Sequence, residues 1–290
     1  RKYVFLTLPL MVGLTMTFST EFFFRLFGSY LAPGSIAVLN FGLRIMLILV
    51  GLFGQAVGTA SFPFLARLAA ENKLNDMNRL LNDTLRFLAL VIPFSVLLMV
   101  LRSEVVRIIF QRGRFDAAAT ALTAEVLMYL LVGAFAFAAY TIVVRGYFAT
   151  QNTLFPALYG TIVVLLSIPV YLLGMNWLGV RGVALAVSLS GILQVTVLYI
   201  LWNVRSNNTG SRSVYVFYIK IMCFAAVLGI FLAWFKTTAF FWIDSNTFQG
   251  SLMICLLTAA VFGVILLATG YGLKIKEITE LVNRLVKRLR

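Results

Sequence analysis

Three ionisable side chains lie inside long apolar runs of this sequence, Glu21 and Arg25 in the first and Arg44 in the second. A charge at hydrocarbon depth is costly, so it faces a protein interior or a wet cavity and marks where an ion or polar substrate passes. Arg44 carries a planar fork of donors suited to a phosphate or diphosphate. An intramembrane ion pair with Glu21 is the alternative reading, and the substrate role is the one expected, since charges at this depth are functional by default. Glu21 and Arg25 are spaced i, i+4 with the acid first, the order that pairs well on one helix face. A local structural pair and a substrate site are therefore both open for them. Arg25 is near enough to the end of its run to snorkel, whereas Glu21 is deep enough to take a proton or a cation.

Other spacings are weaker. Gly51, Gly54 and Gly58 follow Arg44 at intervals that let neighbouring helices approach closely. Phe217, Phe224, Phe231 and Phe235 repeat at roughly heptad spacing on one face of a late run, as a packing surface or a lipid-facing one. Pro9, Pro63, Pro93 and Pro169 fall within or at the ends of apolar runs and can bend them.

These residues need long helices to hold them. Of 290 residues, 61% are hydrophobic and only 12% are charged, too little polar surface for a water-soluble domain. A helix needs about 20 mainly apolar residues to cross a membrane. Such runs occur at about 4–28, 36–62, 84–101, 118–144, 154–174, 182–202, 214–235 and 251–272. The expected fold is an all-α integral membrane protein with eight transmembrane helices. Barrel strands would be half as long and alternate in polarity.

The net charge of +14 does not indicate nucleic acid, because lysine and arginine gather in alternate loops and at the C-terminal end. With Arg1 inside, the inner connections hold Arg67, Lys73, Arg79, Arg86, Arg145, Arg205 and Arg212. The outer ones hold Arg102, Arg107, Arg112, Arg114, Arg181 and Lys236. Both termini are expected in the cytoplasm. With no histidine, a histidine-based triad or histidine-ligated metal is excluded. Cys223 and Cys255 make no disulfide framework. No cofactor, no metal and no enzymatic activity are expected.

Residues 66–83 are polar and mixed in charge, and are expected to form a cytoplasmic surface helix. Glu104 to Phe110 should be a short amphipathic element, Gly113 a turn, and Asp116 the cap of a helix from Ala117. Residues 203–213 are the most linker-like stretch. The expected division is a six-helix lobe at 1–203, a helix pair at 204–272, and a basic amphipathic tail at 273–290 lying on the anionic membrane surface. The chain opens at Arg1 without an initiator Met, as a segment of a longer protein would.

Several blocks together resemble the MurJ/MviN family of lipid II flippases, in the multidrug/oligosaccharidyl-lipid/polysaccharide exporter superfamily. They are Leu8-Pro9, Leu39-Asn-Phe-Gly-Leu-Arg44, Gly58-Thr-Ala-Ser-Phe-Pro63, Phe110-Gln-Arg-Gly-Arg-Phe115 and Arg145-Gly-Tyr-Phe-Ala-Thr-Gln-Asn-Thr-Leu-Phe-Pro156. The resemblance is to the family's C-terminal half. It implies the second lobe of a two-lobe, fourteen-helix transporter of a bacterial inner membrane, with a last helix pair lining a groove for an undecaprenyl tail, where Phe217, Phe224 and Phe231 would lie. It places Arg44 at the family's cavity arginine. It implies lipid II or a related undecaprenyl-diphosphate-linked glycan as substrate, with membrane lipids and an N-terminal lobe of the same protein as partners. An exporter of another polyprenyl-linked glycan, a cation-coupled drug antiporter of the same superfamily and a non-transporting membrane scaffold are the competing expectations.

Overall fold

The computed structural model describes residues 15–272. Leu8-Pro9 and the basic tail at 273–290 lie outside them. Every regular element among the described residues is helical. α1 (Thr15–Ser29) turns through Tyr30–Gly34 into α2 (Ser35–Val50). Gly34 makes that turn with φ +93°, a left-handed conformation natural to glycine. α2 continues through a π-helical segment, Gly51–Gln55, into α3 (Ala56–Ala70), and the three form one rod of 36 residues.

After a tight turn at 71–73 come α4 (Leu74–Leu88) and α5 (Val91–Val100), again one rod, of 27 residues. α4 was expected to lie on the surface, but only its outer side is exposed. Met77, Leu81, Leu85 and Leu88 are buried against α8 and α10. α6 (Arg102–Phe110) is the short amphipathic element, and its Phe110 packs with Phe41 and Phe115. Gly113 turns the chain at φ +60°, and Asp116 Oδ1 accepts from Ala119 N at 2.8 Å to cap α7 (Ala117–Leu131).

α7 and α8 (Ala134–Ala149) were expected as one span, and they meet at a 44° bend. Gly133 sits at the bend because α10 crosses there, and a Cβ would come 2.7 Å from Ser188 Cα. Ser188 Oγ donates to Tyr129 O at 2.7 Å and Leu130 O at 3.0 Å, giving Tyr129 O a donor in place of the Gly133 N–H, which turns to Leu130 O at the break. α9 (Leu154–Leu178) and α10 (Val180–Arg205) are joined by Gly179 alone, at φ +59°. α11 (Ser211–Ala239) and α12 (Phe248–Gly272) complete the fold. Among the described residues, six helices or rods have the length and composition to cross a membrane, seven with the bent pair counted as one, so the chain is a multi-pass helical membrane protein. α1 is described over only 15 residues and falls outside that count.

Two large clusters of buried side chains hold the lobe. One joins α1, α2, α7 and α10 around Leu39, Met46 and Leu127, and the other joins α3, α4, α8 and α10 around Leu65, Leu81 and Tyr147. α11 and α12 seal smaller clusters against α5 and the start of α6. Two polar fastenings reinforce this. Lys236 Nζ on α11 pairs with the buried Glu104 of α6 at 2.7 Å, and Arg107 of α6 donates to Ser245 O in the α11–α12 turn.

The stretch that reads as a linker is held firmly. Asn82 and Asn208 exchange amide hydrogen bonds, Nδ2 to Oδ1 at 2.9 Å and 3.0 Å, and Tyr199 donates to Asn82 Oδ1 at 2.7 Å. Asn78 accepts from Trp202 Nε1 at 2.9 Å and donates to Ser206 O at 3.0 Å. A buried amide must find partners, and here each supplies the other's.

Candidate substrate-facing site

The 36-residue rod has one side turned away from the lobe. Arg44, Leu47, Ile48, Leu52, Gln55, Thr59 and Pro63 are exposed along it, spaced as one helical stripe. The opposite side supplies Leu39, Met46 and Leu49 to the core. Arg44 is held in place because Leu43 and Ile45 on either side of it are buried. Its guanidinium has no hydrogen bond or ion pair among the described residues, so all five donors are free for an anion.

The stripe gains a second cation from another helix. Arg145 of α8 reaches over the rod and donates from Nη2 to Gln55 Oε1 at 3.2 Å and Thr59 Oγ1 at 3.3 Å. Gly58 makes room for it, since a Cβ at 58 would collide with Arg145 Nη1. That Nη1 is buried with no hydrogen-bond partner. Sequence reasoning read Arg145 as a loop cation. It is four residues inside α8, and the signal for it was the smallness of Gly58 opposite.

The π-helical segment lies between the two arginines. Gly54 lets α8 approach so closely that a Cβ would be 2.9 Å from Ala138 Cα, and Thr141 Oγ1 of α8 donates to Gly54 O at 3.0 Å. Such segments are often found at functional positions. Arg44 and Gln55 are about 16 Å apart along the axis at the ordinary helical rise, so the two cations are separate stations on the stripe, with the exposed Leu47, Ile48 and Leu52 between them.

The other expected site residues distribute unevenly. Arg25 is exposed on α1, whose Phe24 and Phe27 are buried. The Glu21 side chain lies outside the described residues, and so does its pairing with Arg25. Phe217 packs against the Ala89, Ile92, Ile221 and Ala225 cluster, and Phe224 against Leu97, Leu228 and Leu232. Phe231 is 39% exposed and stacks on Phe235. The phenylalanine series therefore faces two ways, mostly packed, with Phe231 open. No group of three or more metal-ligating side chains occurs among the described residues.

A bundle of long apolar helices, with Arg44 and Arg145 along one side of its longest rod, has the fold of a membrane transporter. A family model described as "Lipid II flippase MurJ" matches residues 1–266, and the chain belongs to that family. A "Probable lipid II flippase MurJ" of Vibrio cholerae serotype O1 is 26% identical over 280 residues, covering 95% of this chain and 53% of the relative. A "Lipid II flippase MurJ" of Thermosipho africanus is 32% identical over 170 residues, covering 58% of this chain and 34% of the relative. The chain thus spans about half or less of the length of these curated relatives. Among solved structures, "Lipid II flippase MurJ, inward closed conformation" superposes with a TM-score of 0.67 at 24% identity, over 90% of this chain and 52% of that one. A solved structure described as "a MOP superfamily transporter from Pyrococcus furiosus" superposes with a TM-score of 0.56 at 17% identity, over 94% of this chain and 65% of that one.

Proposed function

We propose that this chain forms the second lobe of a flippase that carries lipid II across the bacterial cytoplasmic membrane by alternating access. Family membership supplies the substrate class, and the observation that carries the mechanism is Arg44, unpartnered on the outward stripe of the long rod. A diphosphate cannot enter hydrocarbon unpaired. Free guanidinium donors on the stripe replace its water, while the polyprenyl tail stays in lipid. Gln55, Thr59 and Arg145 extend the polar path toward the cytoplasmic end.

On this reading the chain crosses eight times, with α1 first and both ends of the segment in the cytoplasm. Residues 1–203 are the lobe, 204–272 the pair that lines a lipid-tail groove with Phe231 as its open aromatic, and 273–290 a basic segment on the inner leaflet. A first lobe faces the stripe and completes the cavity. Glu21 and Arg25 are either further substrate-facing groups or a local pair.

The test is complementation of a flippase-depleted bacterium by the full-length protein. Arg44→Ala should abolish rescue with membrane levels unchanged, and full rescue would remove Arg44 from the cavity.

A further inference from the structure

A cavity of about 510 Å³ opens between α4 and the α10–α11 turn, lined by none of the stripe residues, at the cytoplasmic ends of the helices in the proposed orientation. Its size is that of a small-ligand site. Its lining is almost entirely polar, with Arg79, Arg86 and five asparagines against a single acid, Asp83.

Three features give it the chemistry of an anion cradle. Arg79 has no hydrogen bond or ion pair among the described residues, and Arg86 touches Asp83 only at 3.9 Å while its Nε is buried without a partner. Two guanidinium groups thus border the cavity with donors to spare. The amides of Asn78, Asn82 and Asn208 are locked by the network that includes Tyr199 and Trp202, so the wall does not need to be ordered when a ligand arrives. Gly210 and Ser213 bring the start of the 29-residue α11 to the rim, where no side chain caps the first turn and the positive end of the helix favours an anion, although the Ser211 and Ser213 N–H groups already donate to Asn208 O and Gly210 O.

We propose that this cavity binds a phosphate group, either free or on the headgroup of an anionic membrane lipid. The site is separate from the Arg44 stripe and does not depend on the transport reading. Tyr215, Val216 and Ile219, exposed on α11 just beyond the rim, give a lipid's acyl chains an apolar surface to follow.

The test is binding of inorganic phosphate and of short-chain phosphatidylglycerol to the purified chain in neutral detergent, with phosphatidylcholine as control. Both phosphate ligands should saturate and compete for one site. Phosphatidylglycerol outcompeting inorganic phosphate by tenfold or more identifies the lipid source, and the reverse order the soluble one. Arg79→Gln, at an exposed position that leaves the fold alone, should weaken binding about tenfold, and Arg79→Gln/Arg86→Gln should remove it. Asp83→Asn releases Arg86 and removes the one opposing charge, so it should tighten binding severalfold, a gain that misfolding cannot produce. Absence of saturable binding in the wild-type chain, or affinities unchanged by Arg79→Gln and Asp83→Asn, overturns the proposal.

Discussion

Gly58 and Arg145 occupy the same space in turn, since the guanidinium of Arg145 rests where a side chain at position 58 would be. The glycine therefore acts on a functional group and not on a backbone. Gly58→Ala should push the flexible end of Arg145 away from Gln55 and Thr59, at little cost in stability. Gly54→Ala must instead push back the Ala138 backbone and should cost about 1–3 kcal/mol. Gly51→Ala meets nothing and should be neutral or better. Thermal midpoints and flippase complementation across the three variants separate these outcomes; equal loss of stability at 58 and 54 would contradict the assignment.

Arg44→Lys keeps the charge and gives up the planar fork. Complementation should fall well below wild type while exceeding that of Arg44→Ala. Full activity in the lysine variant would mean that charge alone suffices.

The buried pair of Glu104 and Lys236 should be asymmetric in its mutational cost. Glu104 is nearly inaccessible and its Oε2 has no partner, so Lys236→Met strands a buried carboxylate and should cost about 3 kcal/mol. Lys236→Met combined with Glu104→Leu should recover most of that. Denaturation in detergent measures both, and an additive double variant would rule out the coupling.

In the amide network, Asn82→Leu leaves Tyr199 and Asn208 without their buried partner and should cost about 2–3 kcal/mol. Tyr199→Phe removes one donor while Asn82 Oδ1 still accepts from Asn208, and should cost about 1 kcal/mol. Equal midpoint shifts for the two would be the contrary result.

Glu71 closes the α3–α4 turn by accepting from Lys73 Nζ at 2.7 Å and Arg67 Nε at 2.8 Å. The Lys73 and Arg67 hydrogen bonds lower its pKa from 4.5 to about 2. A lowered folded pKa stabilises the turn above the unfolded value and is lost as pH falls through the window from about 4.5 to about 2. Carbon-13 titration of Glu71 should therefore show no protonation at pH 4; Lys73→Ala should raise the midpoint part of the way, and Lys73→Ala with Arg67→Ala should restore an ordinary one.

The spans were readable because a membrane helix announces itself by length and apolarity, needing no knowledge of its neighbours. The interruptions within them were not. The bend at Gly133 exists because Ser188 crosses there, and the π-helical segment is fed by Thr141 from another helix. Neither partner is visible from local pattern. Asn78 and Asn82 look like the solvated face of a surface helix, and their partners lie more than a hundred residues along the chain. Arg44 was legible because its charge contradicts its surroundings, whereas Arg145, four residues from the end of its helix, looked like any loop cation.

The π-helical segment amounts to one residue inserted into an otherwise regular rod, and a single residue is worth about 100° of helical phase. Arg44 and Thr59, fifteen residues apart, are exposed on the same side with that extra residue taken up between them. The segment is thus an expansion joint, and deleting one residue from Gly51–Gln55 should close it into regular α-helix, leaving the two halves of the stripe in phase but abolishing the wide turn whose Gly54 carbonyl Thr141 meets.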